Sequence, residues 1–486
     1  MNPASSSKQF LAQFIRVSLF LLLNSASAFV INLLVARWVG PRVFGDFFFF
    51  VSTAVVATIL FDFGLTRTLL RYGAFHQSRG ELDRKLGYYS AILKLKTLLG
   101  VLVLAASVAA SLIWGGTLRW ELALGLVTGF LVSFGQFLSG VAQTEEDYAS
   151  YNLVQSFNTL RLALILGAAV TGWLTSGSLY AIFLAAPLLL SVLPGIRLGR
   201  DLLQAKPVAE ERFYSKIFAF GKWMILLSIL ETLHQRLDVI LVRGMTDAQQ
   251  AGYYSGALAF FGVVYMLPSF LAVLIYPRFV AAVGREDEAA LALDYRLSTN
   301  VMTLVSAPLS LGLWAVGPDL VHLILGSQYQ AAIPVFPILA LYTLILGCHL
   351  NSGGLFMAKD QPHLIVVIVG CTLGANLLGN LLLIPALGIR GAAWSLCLAT
   401  FLSLVLSWGL IRIRLQLWPS LKHVAGYVGL AAVMAVAVRF SPWLGWTGLA
   451  VKIALGAGIY LGGLWVLERW AGAGWWPVNL AMREET

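Results

Sequence analysis

Apolar runs of about twenty residues, the length a helix needs to cross a hydrocarbon core, recur along the whole chain with short polar breaks between them. They predict transmembrane helices over Val17–Ala36, Asp46–Phe63, Lys94–Trp114, Leu122–Val141, Leu153–Trp173 and Ser178–Leu198. A charged connector, Arg200–Lys216, carries Asp201, Lys206, Glu210, Glu211 and Arg212 and reads as a solvated linker. A second set follows: Ile217–Val242, Tyr253–Tyr276, Ser298–Trp314, Ile333–Gly353, His363–Ile384 and Ala392–Ile411. Two further runs, His423–Val438 and Leu449–Leu467, bring the expected total to about fourteen. The third and fifth spans are the least clean, because Lys94, Lys96, Asn158 and Arg161 intrude. Membrane-spanning strands would read as alternating segments of about ten residues, and the chain has no such pattern.

The two halves echo one another. Arg37, Gly40, Gly45 and Phe47–Phe48 after the first span match Arg243, Gly244, Gly252 and Tyr253–Tyr254 after the seventh. Gly177–Ala181 and Gly391–Ser395 each reopen a helix. Six spans per half keep the repeats in one orientation, which places a pseudo-two-fold axis along the membrane normal. The expected fold is therefore all-α and integral to the membrane, with a six-helix lobe over residues 1–205, a second over 206–420, and an additional helix pair over 421–486.

Composition agrees. The chain has 486 residues, 59% hydrophobic and 12% charged, where soluble domains carry about a quarter charged residues. Its net charge of +10 sits in short loops between apolar runs, which reads as a topology signal and argues against nucleic acid. Roughly 25 of the 33 Lys and Arg fall on the side of the N-terminus, so both termini are expected in the cytoplasm, with the protein in the cytoplasmic (inner) membrane. Ala26-Ser27-Ala28 imitates a signal-peptidase site, but apolar character continues to Ala36, as in a span rather than a signal core. Cys348, Cys371 and Cys397 lie in apolar runs and read as inert buried thiols. The sequence has no phosphate-binding loop and no His/Cys cluster at metal-ligand spacing, so no cofactor and no metal are expected. Transport energy must come from an ion gradient, the membrane potential or downstream consumption.

The densest polar pattern lies in Lys222–Gly244. Ser228, Glu231, His234, Gln235 and Asp238 recur at spacings of three and four on one helical face, while Ile229, Leu230, Leu233, Leu237 and Ile240 cover the rest. Ionisable residues inside a span face a bundle interior or a hydrated cavity, which makes this stripe a candidate polar pathway. Glu231 can exchange protons there; Asp238 and Arg236, near the outer end, read equally as structural. Arg16, Asn24 and Asn32 share a stripe on the first span, where the asparagines either line a cavity or join helices. Arg16 either snorkels to the interface or meets an anionic substrate. His349 and Asn351 mark the tenth span. Gly129, Ser133, Gln136, Gly140 and Gln143 on the fourth, and Thr372, Asn376 and Asn380 on the eleventh, read first as helix-packing stripes. Asp62, followed by Arg67 and Arg71, either pairs locally with those arginines or couples protons.

Arg37–Phe48, Asp62-Phe63-Gly64-Leu65 with Arg67 and Arg71, Leu237–Tyr254 and Pro385–Ser395 (PALGIRGAAWS) together resemble the bacterial polysaccharide-repeat-unit flippases. These form the O-antigen and exopolysaccharide branch of the multidrug, oligosaccharidyl-lipid and polysaccharide exporter superfamily. The resemblance implies a carrier, not an enzyme, moving an undecaprenyl-pyrophosphate-linked oligosaccharide across the membrane by alternating access. Its cavity residues would be Arg16, Asn24, Asn32, Ser228, Glu231, His234, Gln235, His349 and Asn351, with Glu231, Asp238 and Asp62 the candidates for ion coupling. Membrane lipid and the glycosyltransferases and polymerase of the same pathway are the implied partners. The acidic seventh-span face also suits a multidrug or toxin exporter of the same superfamily, and hydrophobicity alone would suit an integral-membrane polysaccharide polymerase.

Overall fold

A computed structural model of the chain describes residues 3–113, 118–145, 147–204 and 213–470. They are helical almost throughout, and they separate into two compact units, Met1–Arg236 and Leu237–Thr486. Among the described residues ten helices are long and apolar enough to cross a membrane, eleven if one bent pair counts as a single span. The ten count the forty residues Leu23–Asp62 as one helix, although two spans are expected there. They omit the helix that carries Glu231, Arg236 and Asp238.

In the first unit α1 (Pro3–Asp62) joins the first two expected spans without a loop. Its break is at Gly40, whose φ of 78° suits a residue without Cβ, and Pro41 follows with no N–H to continue the hydrogen-bond ladder. The sequence predicts a polar turn here; the helix resumes at once instead. Gly64, left-handed at φ 69°, then separates α1 from the amphipathic α2 (Leu65–Ser78). The helices α3 (Leu82–Ile113) and α4 (Leu118–Thr144) follow. Next, α5 (Tyr148–Gln155) is capped by Asp147, which accepts from the Ser150 amide at 3.1 Å. A bend of 45° leads into α6 (Phe157–Val170). The unit ends with α7 (Ser176–Gln204) and most of α8 (Phe213–Met245). Its core is aromatic: Phe47 meets Phe183 edge-on at 4.8 Å, Phe50 lies 5.0 Å from Tyr180, and Leu69, Tyr89, Ile92 and Phe137 are fully buried.

Two helix defects in this unit are repaired from outside their own helices, as they must be where no water reaches the backbone. The bend before α6 frees the Asn158 amide, which donates to Asn24 Oδ1 of α1 at 3.0 Å. Pro187 inside α7 has no N–H for the Phe183 carbonyl four residues earlier. Arg161 of α6 supplies one at 2.9 Å, with its guanidinium 4.0 Å above the Phe183 ring.

The second unit holds α9 (Ala248–Gly284) and α10 (Glu288–Leu320), capped by Asp247 and Asp287. An irregular turn around Gly326 leads to α11 (Phe336–His349) and the short α12 (Ser352–Ala358). The long α13 (Pro362–Leu387) and α14 (Ile389–Leu415) follow, then α15 (Leu421–Arg439) and α16 (Gly445–Trp470). Hydrophobicity does not drive helix association in lipid, so polar pins and close packing must. Lys452 of α16 pairs with Asp319 of α10 at 2.7 Å, and the Tyr460 hydroxyl donates to the Leu304 carbonyl at 3.0 Å. Tyr427, Ala431 and Ala435 of α15 are fully buried.

Candidate functional site

Within the first unit a cavity of about 300 Å³ opens among α1, α2, α4, α5 and α8. Gln136, Ser139, Gly140 and Gln143 recur on one face of α4 and form one wall, with Gly140 letting α2 come close, since a Cβ there would meet Thr66 and Leu69. Tyr151 and Gln155 of α5 stand beside them, and Ile225, Ser228 and Ile229 of α8 add another side. Asp62 and Thr66 close the end, on either side of the Gly64 turn. The Asp62 carboxylate is almost buried and does not stand bare. Lys96 Nζ of α3 lies 2.6 Å from Oδ1, and the Thr66 hydroxyl donates to the same oxygen. The lysine is itself buried, so the pair replaces two desolvated charges by one neutral group. Among the described side chains the lining is thus a mixture of neutral polar and apolar groups, with Asp62 its one carboxylate.

A second polar centre lies in the second unit. Asp238, 3% exposed, accepts from Asn380 Nδ2 at 2.7 Å and from the Tyr254 hydroxyl at 3.2 Å. Asn380 also donates to Asn376 Oδ1 at 2.7 Å, and Ser395 Oγ to the Asn376 carbonyl at 2.7 Å. No basic residue pairs with Asp238 among the described residues, and Asn380 Oδ1 has no hydrogen-bond partner. A carboxylate, two amide oxygens and a hydroxyl within one buried cluster are suited to hold a proton or a monovalent cation.

The stripe on α8 is thus divided. Ser228 lines the cavity of the first unit, Asp238 enters the cluster of the second, Glu231 and Gln235 are exposed, and His234 is half-buried. Asn24 caps the start of α6, and Asn32 is half-buried in α1. The side chains of Arg16, Arg67 and Arg71 lie outside the described residues. His349 is buried with both ring nitrogens satisfied, by the Ile345 carbonyl at 2.9 Å and Ser403 Oγ at 3.2 Å. Asn351 donates to Ser298 and Thr299. Both therefore serve helix contacts. Lys96, Tyr151, Gln155 and Tyr254 carry no signal in the sequence that marks them as site residues; Gln136, Gln143, Asn376 and Asn380 do, on stripes that read there as packing.

Residues 34–334 match the family described as Polysaccharide biosynthesis protein. The chain belongs to this family. Probable low-salt glycan biosynthesis flippase Agl15 of Haloferax volcanii is 23% identical over 411 residues, 82% of each chain. Lipopolysaccharide biosynthesis protein WzxC of Escherichia coli is 27% identical over 173 residues, 35% of this polysaccharide biosynthesis protein and 33% of WzxC. Among solved structures, lipid II flippase MurJ in an inward closed conformation superposes with a TM-score of 0.66 at 13% identity, over 92% of this chain and 99% of MurJ. An inward-facing multidrug resistance MATE transporter of the MOP superfamily gives 0.66 at 12% identity, over 81% and 94%. At these identities the structures establish the fold: this family member shares the all-helical architecture of those two proteins.

Proposed function

We propose that the protein is a flippase that carries a polyprenyl-pyrophosphate-linked oligosaccharide across the cytoplasmic membrane for polysaccharide export. The observation that carries this reading is the cavity of the first unit. Amides, hydroxyls and a neutralised carboxylate among apolar helices form the wall chemistry needed to take a hydrophilic head past hydrocarbon while its lipid tail stays in the bilayer. Family membership and the names of the relatives support the same class of cargo. Both termini are cytoplasmic in this reading, from the distribution of Lys and Arg, and glycosyltransferases and a polymerase act before and after it. The Asp238 cluster supplies the coupling site: its carboxylate, held by neutral donors, is discharged by a proton or a monovalent cation in one state and exposed in the other.

Deletion of the gene should leave lipid-linked oligosaccharide in the inner leaflet, and the wild-type chain should restore its transfer. Asp238→Asn, close in shape and without charge, should remove the dependence of transfer on an imposed proton or sodium gradient. Sensitivity of the deletion strain to cationic dyes with normal lipid-linked sugar would favour the multidrug exporter instead.

A further inference from the structure

We infer that the cavity of the first unit holds one uncharged pyranose ring of the lipid-linked oligosaccharide, and so reads sugar rather than pyrophosphate. This rests on the flippase reading above and goes beyond it by assigning a subsite.

The described lining suits a neutral group better than a pyrophosphate. Among the described side chains Asp62 is the one carboxylate on the lining, and Lys96 is committed to it at 2.6 Å. Among the described side chains no other Arg or Lys lines the cavity, whereas pyrophosphate groups are held by such residues. A pyranose asks for something else: its neighbouring hydroxyls each donate and accept. Gln136, Gln143 and Gln155 offer both functions from one side chain, and Ser139 and Ser228 add hydroxyls. Tyr151 brings a flat ring with a polar edge, and Ile59, Ile225 and Ile229 give the apolar C–H face of a sugar a surface to rest on. A volume of about 300 Å³ is at the low end of ligand pockets, enough for one ring and too little for a repeat unit.

Polar groups that only glue helices close on one another. These make some such contacts, Gln155 to Ser139 at 3.5 Å and Ser139 to the Gln136 carbonyl at 2.9 Å, and still enclose a space of about 300 Å³. The position is also appropriate. Asp62 ends the second span, Gln143 ends α4 and Tyr151 begins α5, so the cavity lies toward the membrane face shared with the N-terminus, where the substrate is loaded.

The test measures binding of synthetic short-chain probes to the purified full-length protein: citronellyl pyrophosphate alone, and the same lipid carrying glucose, N-acetylglucosamine or glucuronate. The two neutral sugars should tighten binding over the bare lipid by about tenfold, the worth of one or two hydrogen bonds, and glucuronate should not. Gln136→Ala and Gln143→Ala should remove most of that gain and leave the bare probe unchanged. If Gln136→Ala does not fold, Gln143→Ala, at an exposed position, and Ser139→Ala carry the comparison. A sugar gain that survives these substitutions overturns the subsite, as does an equal gain from glucuronate. Binding of the bare lipid with no sugar gain overturns the subsite alone; failure of every probe to bind overturns the flippase reading with it.

Discussion

Replacing Lys96 by Met would leave the Asp62 carboxylate in place and remove its cation. The side chains of the pair are 2% and 11% exposed and 2.6 Å apart, so the lysine has no water to fall back on and the carboxylate only what enters the cavity. Breaking a buried pair from one side costs about 3–5 kcal/mol, and the Thr66 hydroxyl that stays on Asp62 puts the expectation at about 3 kcal/mol. For a unit of this size that corresponds to a fall of roughly 6–12 °C in Tm. The double variant Asp62→Asn/Lys96→Met removes the stranded charge and keeps an acceptor for Thr66; it should recover at least half of the loss. Thermal unfolding of the purified protein in detergent, followed by tryptophan fluorescence, reads all three. A Lys96→Met variant as stable as wild type, or a double variant no better than the single, would refute the view that the lysine is there to neutralise the cavity wall.

Arg161→Met should destabilise by about 1–3 kcal/mol, because it strands the Phe183 carbonyl. Pro187→Ala in that background should restore part of the loss, since alanine returns the missing amide; a further drop in Tm would count against this. Glu81, in the turn before α3, has its pKa lowered below 4.5, first by the hydrogen bond from His76 at 2.7 Å and then by Arg84. A lowered carboxylate pKa adds stability that is present above the unfolded value and is lost as pH falls through the folded one. Relative to the intrinsic rate, which itself falls with pH here, protection of the amides of residues 79–82 should therefore drop as pH falls below about 4.5, and Glu81→Gln should show the lower protection at both ends of the range.

The membrane class and the all-helical character were legible because they depend on local composition: any twenty-residue window reports its own hydropathy. The site was only half legible, because each centre is assembled from distant segments. Asp62 reads with Arg67 and Arg71 close by, yet the partner the structure shows is Lys96, whose charge in the sequence only spoils the third span. Asp238 stands out as a carboxylate in a span, but its donors lie 16 and 142 residues away. The amides on α4 and α13 have the spacing of packing stripes, and spacing alone does not separate residues that close a gap from residues that line one. Stripe logic also assumes that one face has one neighbour, whereas α8 continues from the first compact unit into the second and its polar face is divided between them.

The paired repairs in the first unit have an evolutionary corollary. Proline at 187 and arginine at 161 answer one another, as do the bend before α6 and the asparagine at 24. Among relatives that fold alike, a lineage that drops the proline releases the arginine from selection, while loss of the arginine alone should be purged. Such positions should drift together in descent, although none of them lines the cavity of the first unit.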